Sequence, residues 1–150
     1  MANKKKIIND PVFGFITLPS ELLYDLLQHP LVHRLTRIKQ LGLTSYVYPG
    51  TQHTRFQHSL GALHLMTEAI KTLQNKGNNI TDDEANAVYA AILLHDLGHG
   101  PFSHTLEDFF FTHHSHEEVG LALIEQLNRD FNGKLDLTLQ ILRNTYAKGY

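Results

Sequence analysis

The chain has 150 residues, 42% of them hydrophobic, enough for one compact domain and too few to expect two. Thirteen basic residues against 15 acidic ones give a formal net charge of -2, so no broad basic surface for nucleic acid is expected and an anionic substrate needs local cations. The absence of cysteine excludes disulfides and thiolate zinc sites, so any metal must be held by nitrogen and oxygen donors.

In chain order, Asn9-Asp10-Pro11 through Pro19 mixes turn formers with isolated apolar residues and reads as an irregular or β-like arm over residues 1–19. From Ser20, a plausible N-cap, Leu22, Leu23, Leu26 and Leu27 have helical spacing, and Pro30 ends or restarts that helix. A second short helix is expected to carry Leu31, Leu35, Ile38 and Leu41, with Gly42 stopping it and Tyr46 to Gly50 extended into a turn.

Leu60, Leu63, Met66, Ile70 and Leu73 then recur every three or four residues, which predicts a long amphipathic helix from about Phe56 to Lys76. Thr81 or Asp82 caps the next helix, whose stripe Ala85, Val88, Ile92 and His95 turns His95 toward the core before Gly98 breaks the helix. A short helix around Thr105 to Phe110, a longer one from about Ser115 to Asn128 and another starting near Leu135 complete the pattern. The expected class is all-α, with one orthogonal or bundle-like core over residues 20–150. The last helical pattern is still running at Tyr150, so the chain reads as cut rather than finished. No apolar run suffices to span a bilayer and no signal-peptide apolar region follows the basic start, which points to a cytoplasmic protein.

Six of the 11 histidines fall between His95 and His116. The dense part is His95-Asp96-Leu97-Gly98-His99-Gly100-Pro101-Phe102-Ser103-His104. Adjacent side chains on a helix diverge by about 100°, so His95 and Asp96 reach one ion only where the helix ends. An imidazole nitrogen with a carboxylate oxygen suits manganese, iron, zinc, nickel or magnesium. For one His-Asp pair alone, a hydrogen-bonded core histidine would be the better reading. The inward-facing helix, the glycine break and the further histidines of the loop tip the balance toward a metal site. A further candidate ligand, His58, stands in Arg55-Phe56-Gln57-His58-Ser59.

His58 followed by His95-Asp96 and the loop to His104 resembles the HD-domain phosphohydrolase superfamily, and most closely its deoxynucleoside triphosphate triphosphohydrolase branch. Asn9-Asp10-Pro11, the segment Arg34 to Gly42, Pro49-Gly50 and Arg55 to Gly61 are similar to that branch in order and spacing. The resemblance implies an HD domain over residues 20–150 holding one divalent metal ion on His58, His95 and Asp96. Its fourth ligand, an Asp, falls beyond Tyr150, which implies weak metal binding and little turnover by the 150-residue chain alone. It also implies that His99 and His104 touch the phosphates and the attacking water, that His116 and Glu107 form a further catalytic pair, and that Arg55 binds phosphate. Gln40 and Leu41 fall at positions that contact the sugar, which points to a deoxynucleotide. Glu107 departs from the family pattern, which has Asp there. The implied reaction is water attack on phosphorus of a nucleotide, and apolar helix faces left uncovered without the missing helix favour self-association into a homo-oligomer. Two alternatives stay open: an HD phosphodiesterase or nucleotidase, and an inactive HD module that binds nucleotide.

Overall fold

In a computed structural model of the chain, residues 6–102 and 115–147 are described. The arm is an antiparallel hairpin, β1 (Ile7–Asp10) and β2 (Gly14–Thr17), with Ile8 opposite Ile16. Asp10 makes its turn: one carboxylate oxygen accepts from the Val12 and Phe13 N–H groups at 2.8 and 2.9 Å, and Gly14 takes the positive φ of 71° that favours glycine. Ile16 and Leu18 are buried in the same core as the helices, so the arm is packed onto the domain.

Helix α1 (Glu21–Gln28) buries Leu23, Leu26 and Leu27. Ser20 stands at its N-cap as the sequence suggests, yet its side chain makes no cap hydrogen bond and its hydroxyl is buried without a partner among the described residues. The single helix expected over Leu31 to Leu41 is instead a four-residue turn, α2 (Pro30–His33), followed by a 3-10 turn, Arg34–Arg37. The chain goes extended at Ile38, because Lys39 bridges Thr54: Gln40 N–H donates to His53 O at 3.1 Å and Arg55 N–H to Ile38 O at 2.8 Å. Gly42 starts a second 3-10 turn, Gly42–Tyr46, where the sequence suggested a helix stop and an extended piece.

Helix α3 (Arg55–Asn75) begins with a capping box, Thr54 and Gln57 each bonding the other's backbone N–H. Helix α4 (Asp82–Leu94) begins the same way with Thr81 and Glu84. Leu60, Leu63 and Ile70 of α3 and Ala90, Leu93 and Leu94 of α4 lie in one buried cluster, each leucine contributing roughly 1.5–3 kcal/mol through burial. Helix α5 (His116–Asp130), capped by Ser115, and α6 (Asp136–Leu142) close the core with Ile124, Leu127, Leu135 and Leu139. Among the described residues no helix is long and apolar enough to cross a membrane. The short helix expected around Thr105 to Phe110 lies outside the described residues.

Helix α4 ends at Leu94, so His95 and Asp96 open the turn that follows. Gly98 serves that turn by its size, since its φ is not in the left-handed region. A Cβ there would stand 1.8 Å from His116 O and 2.5 Å from Gly120 N, both backbone atoms of α5. Gly98→Ala is therefore expected to push α5 off the turn and destabilise by about 1–3 kcal/mol or more. Gly50→Ala, which meets nothing within 4 Å, should stay within about 0.5 kcal/mol of wild type in the same urea titration; equal midpoints for the two variants would contradict the close approach.

Candidate metal centre

The short α3–α4 connection makes the two helices antiparallel neighbours, which brings the first turn of α3 beside the end of α4. His58 comes from the first, His95 and Asp96 from the second. One ligand atom from each lies within 4.8 Å of the others. Of the two histidines, His95 Nε2 lies 3.4 Å from Asp96 Oδ1 and His58 Nε2 lies 4.0 Å from Oδ2. Donors bound at about 2.1 Å to one ion stand roughly 3.0–3.4 Å apart, so the cluster is close to a ligating arrangement. His58 and His95 face each other edge-on with ring centroids 5.3 Å apart.

The three side chains differ in environment. Asp96 is 7% exposed, whereas His58 and His95 are exposed. The expectation that His95 points with the core residues is thus corrected: it caps α4, one step past the last helical residue, and its ring faces outward while Asp96 turns inward. The ring is nevertheless oriented, because Nδ1 lies 2.6 Å from Ile92 O. With the proton on Nδ1 donated to that carbonyl, Nε2 keeps its lone pair for a cation.

Burial pushes the Asp96 carboxyl upward, but electrostatic interactions with His95, Arg55 and His99 and the Arg55 hydrogen bond outweigh it and hold the group below the usual carboxylate range. Burial lowers the His58 pKa despite the opposing pull of Asp96, and His95 and Arg55 lower it further. Neutral imidazole and ionised carboxylate are the forms that bind metal. The donor chemistry, two nitrogens and an oxygen with no sulfur, fits one divalent ion of the kind expected.

Arg55, the first residue of α3, is 2% exposed and donates through Nη1 to Asp96 Oδ2 at 2.7 Å. Its Nε is buried with no hydrogen-bond partner among the described residues. His99, 5% exposed, has Nε2 at 3.6 Å from Asp96 Oδ1 and stacks on His116, centroids 4.0 Å apart and planes at 17°. His99 and Arg55 thus gather about the Asp96 carboxylate with His58 and His95, and His116 joins them by stacking on His99. Gln40 is tied to the start of α3 through the His53 carbonyl, with its side-chain oxygen buried and unpartnered among the described residues, while Leu41 beside it is 44% exposed. His104 and Glu107 lie outside the described residues.

Beside His58 a cavity of about 410 Å³ opens between the hairpin turn and α3, lined by Asp10, Pro11, Phe13, His53, His58 and Gly61. Another, of about 500 Å³, lies at the far end of the α3–α4 pair among Thr67, Lys71, Asp82 and Tyr89, away from the cluster. Arg34 was not singled out from the sequence. Its guanidinium donates to His99 O at 2.9 Å and to Leu97 O, and backbone carbonyls leave no mark in a sequence that could have announced it.

Residues 55–147 match the family described as HD domain. The chain is 39% identical over 130 residues to the human deoxynucleoside triphosphate triphosphohydrolase SAMHD1, covering 81% of this chain and 21% of that protein. It is 38% identical over 122 residues to the uncharacterized protein YwfO of Bacillus subtilis, covering 81% of this chain and 28% of that one. The fold superposes on the crystal structure of a phosphohydrolase from Bacteroides thetaiotaomicron with a TM-score of 0.92 at 64% identity, over 95% of this chain and 36% of the other. The chain therefore spans between a fifth and a third of the length of such curated relatives. With the match over residues 55–147 and the His58, His95 and Asp96 cluster within it, the chain belongs to the HD-domain phosphohydrolase family.

Proposed function

We propose that this chain forms the catalytic part of a metal-dependent hydrolase of deoxynucleoside triphosphates, releasing the deoxynucleoside and inorganic triphosphate. The observation that carries the reading is the convergence of the His58, His95 and Asp96 ligand atoms within 4.8 Å of one another, beside a desolvated arginine. The substrate class is supported by similarity to SAMHD1 proteins, here over about a fifth of their length, and by Gln40 and Leu41 at the sugar-contacting positions.

A divalent ion on the three residues would polarise a phosphoryl oxygen and acidify a bound water. The chain's own groups supply the rest. His95 is oriented by Ile92 O, which keeps Nε2 turned toward the site. Arg55, held by its Nη1 bond to Asp96, stands beside the ligands, and in this reading its guanidinium supplies the positive charge that meets the phosphate. His99, stacked on His116 and next to Asp96, is placed to hold or pass the proton of the attacking water. In this reading His104 touches the phosphates, and Glu107 pairs with His116. Gln40 and Leu41 face the sugar.

Incubating the full-length protein with manganese and each deoxynucleoside triphosphate should release inorganic triphosphate. His58→Ala, His95→Ala and Asp96→Asn should each lower kcat/KM by more than about 100-fold. Activity confined to cyclic nucleotides, or monophosphate as the product, would instead establish a phosphodiesterase or nucleotidase.

Arg55 also has a structural effect that can be measured without substrate. Arg55→Ala leaves the buried Asp96 carboxylate without its cation, and loss of one partner from a buried pair costs roughly 3–5 kcal/mol. A bound divalent ion supplies replacement charge, so urea unfolding with manganese should recover more stability in Arg55→Ala than in wild type. Equal metal effects in the two proteins would show that Arg55 does not balance the site's charge.

A further inference from the structure

The turn after the His95–Asp96 pair carries His99 and is tied by backbone and side-chain hydrogen bonds. Leu97 N–H donates to Leu94 O at 2.9 Å and His99 N–H to Asp96 O at 3.2 Å. The carbonyls of Leu97 and His99 are both taken by one guanidinium: Arg34 Nη1 donates to His99 O at 2.9 Å and Nη2 to Leu97 O. Arg34 opens the 3-10 turn Arg34–Arg37, and the next residue, Leu35, is fully buried in the core. The guanidinium is thus fixed to the core through an element distant in sequence, and burial lowers its pKa.

We propose that Arg34 is a positioning residue of this site: it clamps the turn at Leu97 and His99 so that the His99 ring stays stacked on His116 and beside Asp96. This rests on the reading of His99 given above. Two carbonyls two residues apart need two N–H groups in a rigid planar fork, which arginine presents and lysine does not. Without the clamp the His99 backbone keeps its bond to Asp96 O but loses the tether that sets its ring. The ligands His95 and Asp96 lie on the α4 side of the clamp, tied by Leu94 O, Ile92 O and Arg55. Loss of Arg34 therefore acts on His99 more than on metal retention.

The test uses the full-length protein with Arg34→Ala, Arg34→Lys and Arg34→Leu. Manganese affinity, read by the free-ion electron paramagnetic resonance signal, should stay within about threefold of wild type in Arg34→Ala. Triphosphate release from deoxynucleoside triphosphates should fall by about 10–100-fold in kcat, as for other residues that orient a site's ligands and bases. Added methylguanidinium should restore turnover in Arg34→Ala, where it finds room, and not in Arg34→Leu; Arg34→Lys should remain low. A loss in Arg34→Ala that the guanidinium ion does not rescue and that parallels a fall in Tm would overturn the clamp as merely structural. Nuclear Overhauser contacts between the His99 and His116 rings give a readout independent of turnover: they should be present in wild type and lost in Arg34→Ala. Their persistence in Arg34→Ala overturns the clamp whatever the chemistry. Wild type that shows these contacts, with their loss in the variant, yet neither binds manganese nor releases triphosphate, upholds the clamp and overturns the function proposed for the site.

Discussion

A carboxylate that is 7% exposed and ionised needs compensating charge, and Asp96 is such a group. The Arg55 guanidinium touches one oxygen, the His95 and His99 imidazoles approach the other, and His58 stands 4.0 Å off. Much of the fold around it can be read as the means of bringing those partners from separate parts of the chain. A bound divalent cation would complete the balance, and the two exposed imidazoles leave the open side on which it would sit. The same arrangement keeps Arg55 desolvated beside Asp96.

The scaffold achieves this with ordinary devices. The capping box at Thr54 and Gln57 and the backbone bridge from Lys39 to Thr54 fix where α3 starts, and therefore where Arg55 and His58 project. The buried faces of α3 and α4 hold that start against the end of α4. Gly98 lets the turn press on the backbone of α5 at His116 and Gly120, which carries His116 to His99. Helix ends, rather than helix faces, carry the candidate ligands here.

Most helices were legible because their apolar residues repeat at helical spacing and because Thr81 and Ser115 are cap residues followed three positions later by Glu84 and Glu118. The cluster of His58, His95 and Asp96, which could hold a metal, was legible from the motif His-Asp before a glycine together with His58. Other features depended on contacts that a periodicity cannot show. The helix expected through Leu41 gives way at Ile38 because a backbone bridge to α3 competes for the chain. His95 shares the stripe of Ala85, Val88 and Ile92, yet the helix ends one residue earlier, and a one-residue change at a terminus redirects a side chain by a large angle. Gly98 reads as a helix breaker, although its smallness is what the packing requires. The partners of Arg34 are carbonyls, which every residue has.

The central claim, that Asp96 with His58 and His95 holds one divalent ion, is tested most directly by anomalous diffraction from crystals of the full-length protein, collected across the absorption edge of the bound metal. One peak per chain is expected, at about 2.0–2.2 Å from His58 Nε2, His95 Nε2 and an Asp96 oxygen. A metal held elsewhere in an active protein, with these three side chains unligated, would contradict the account.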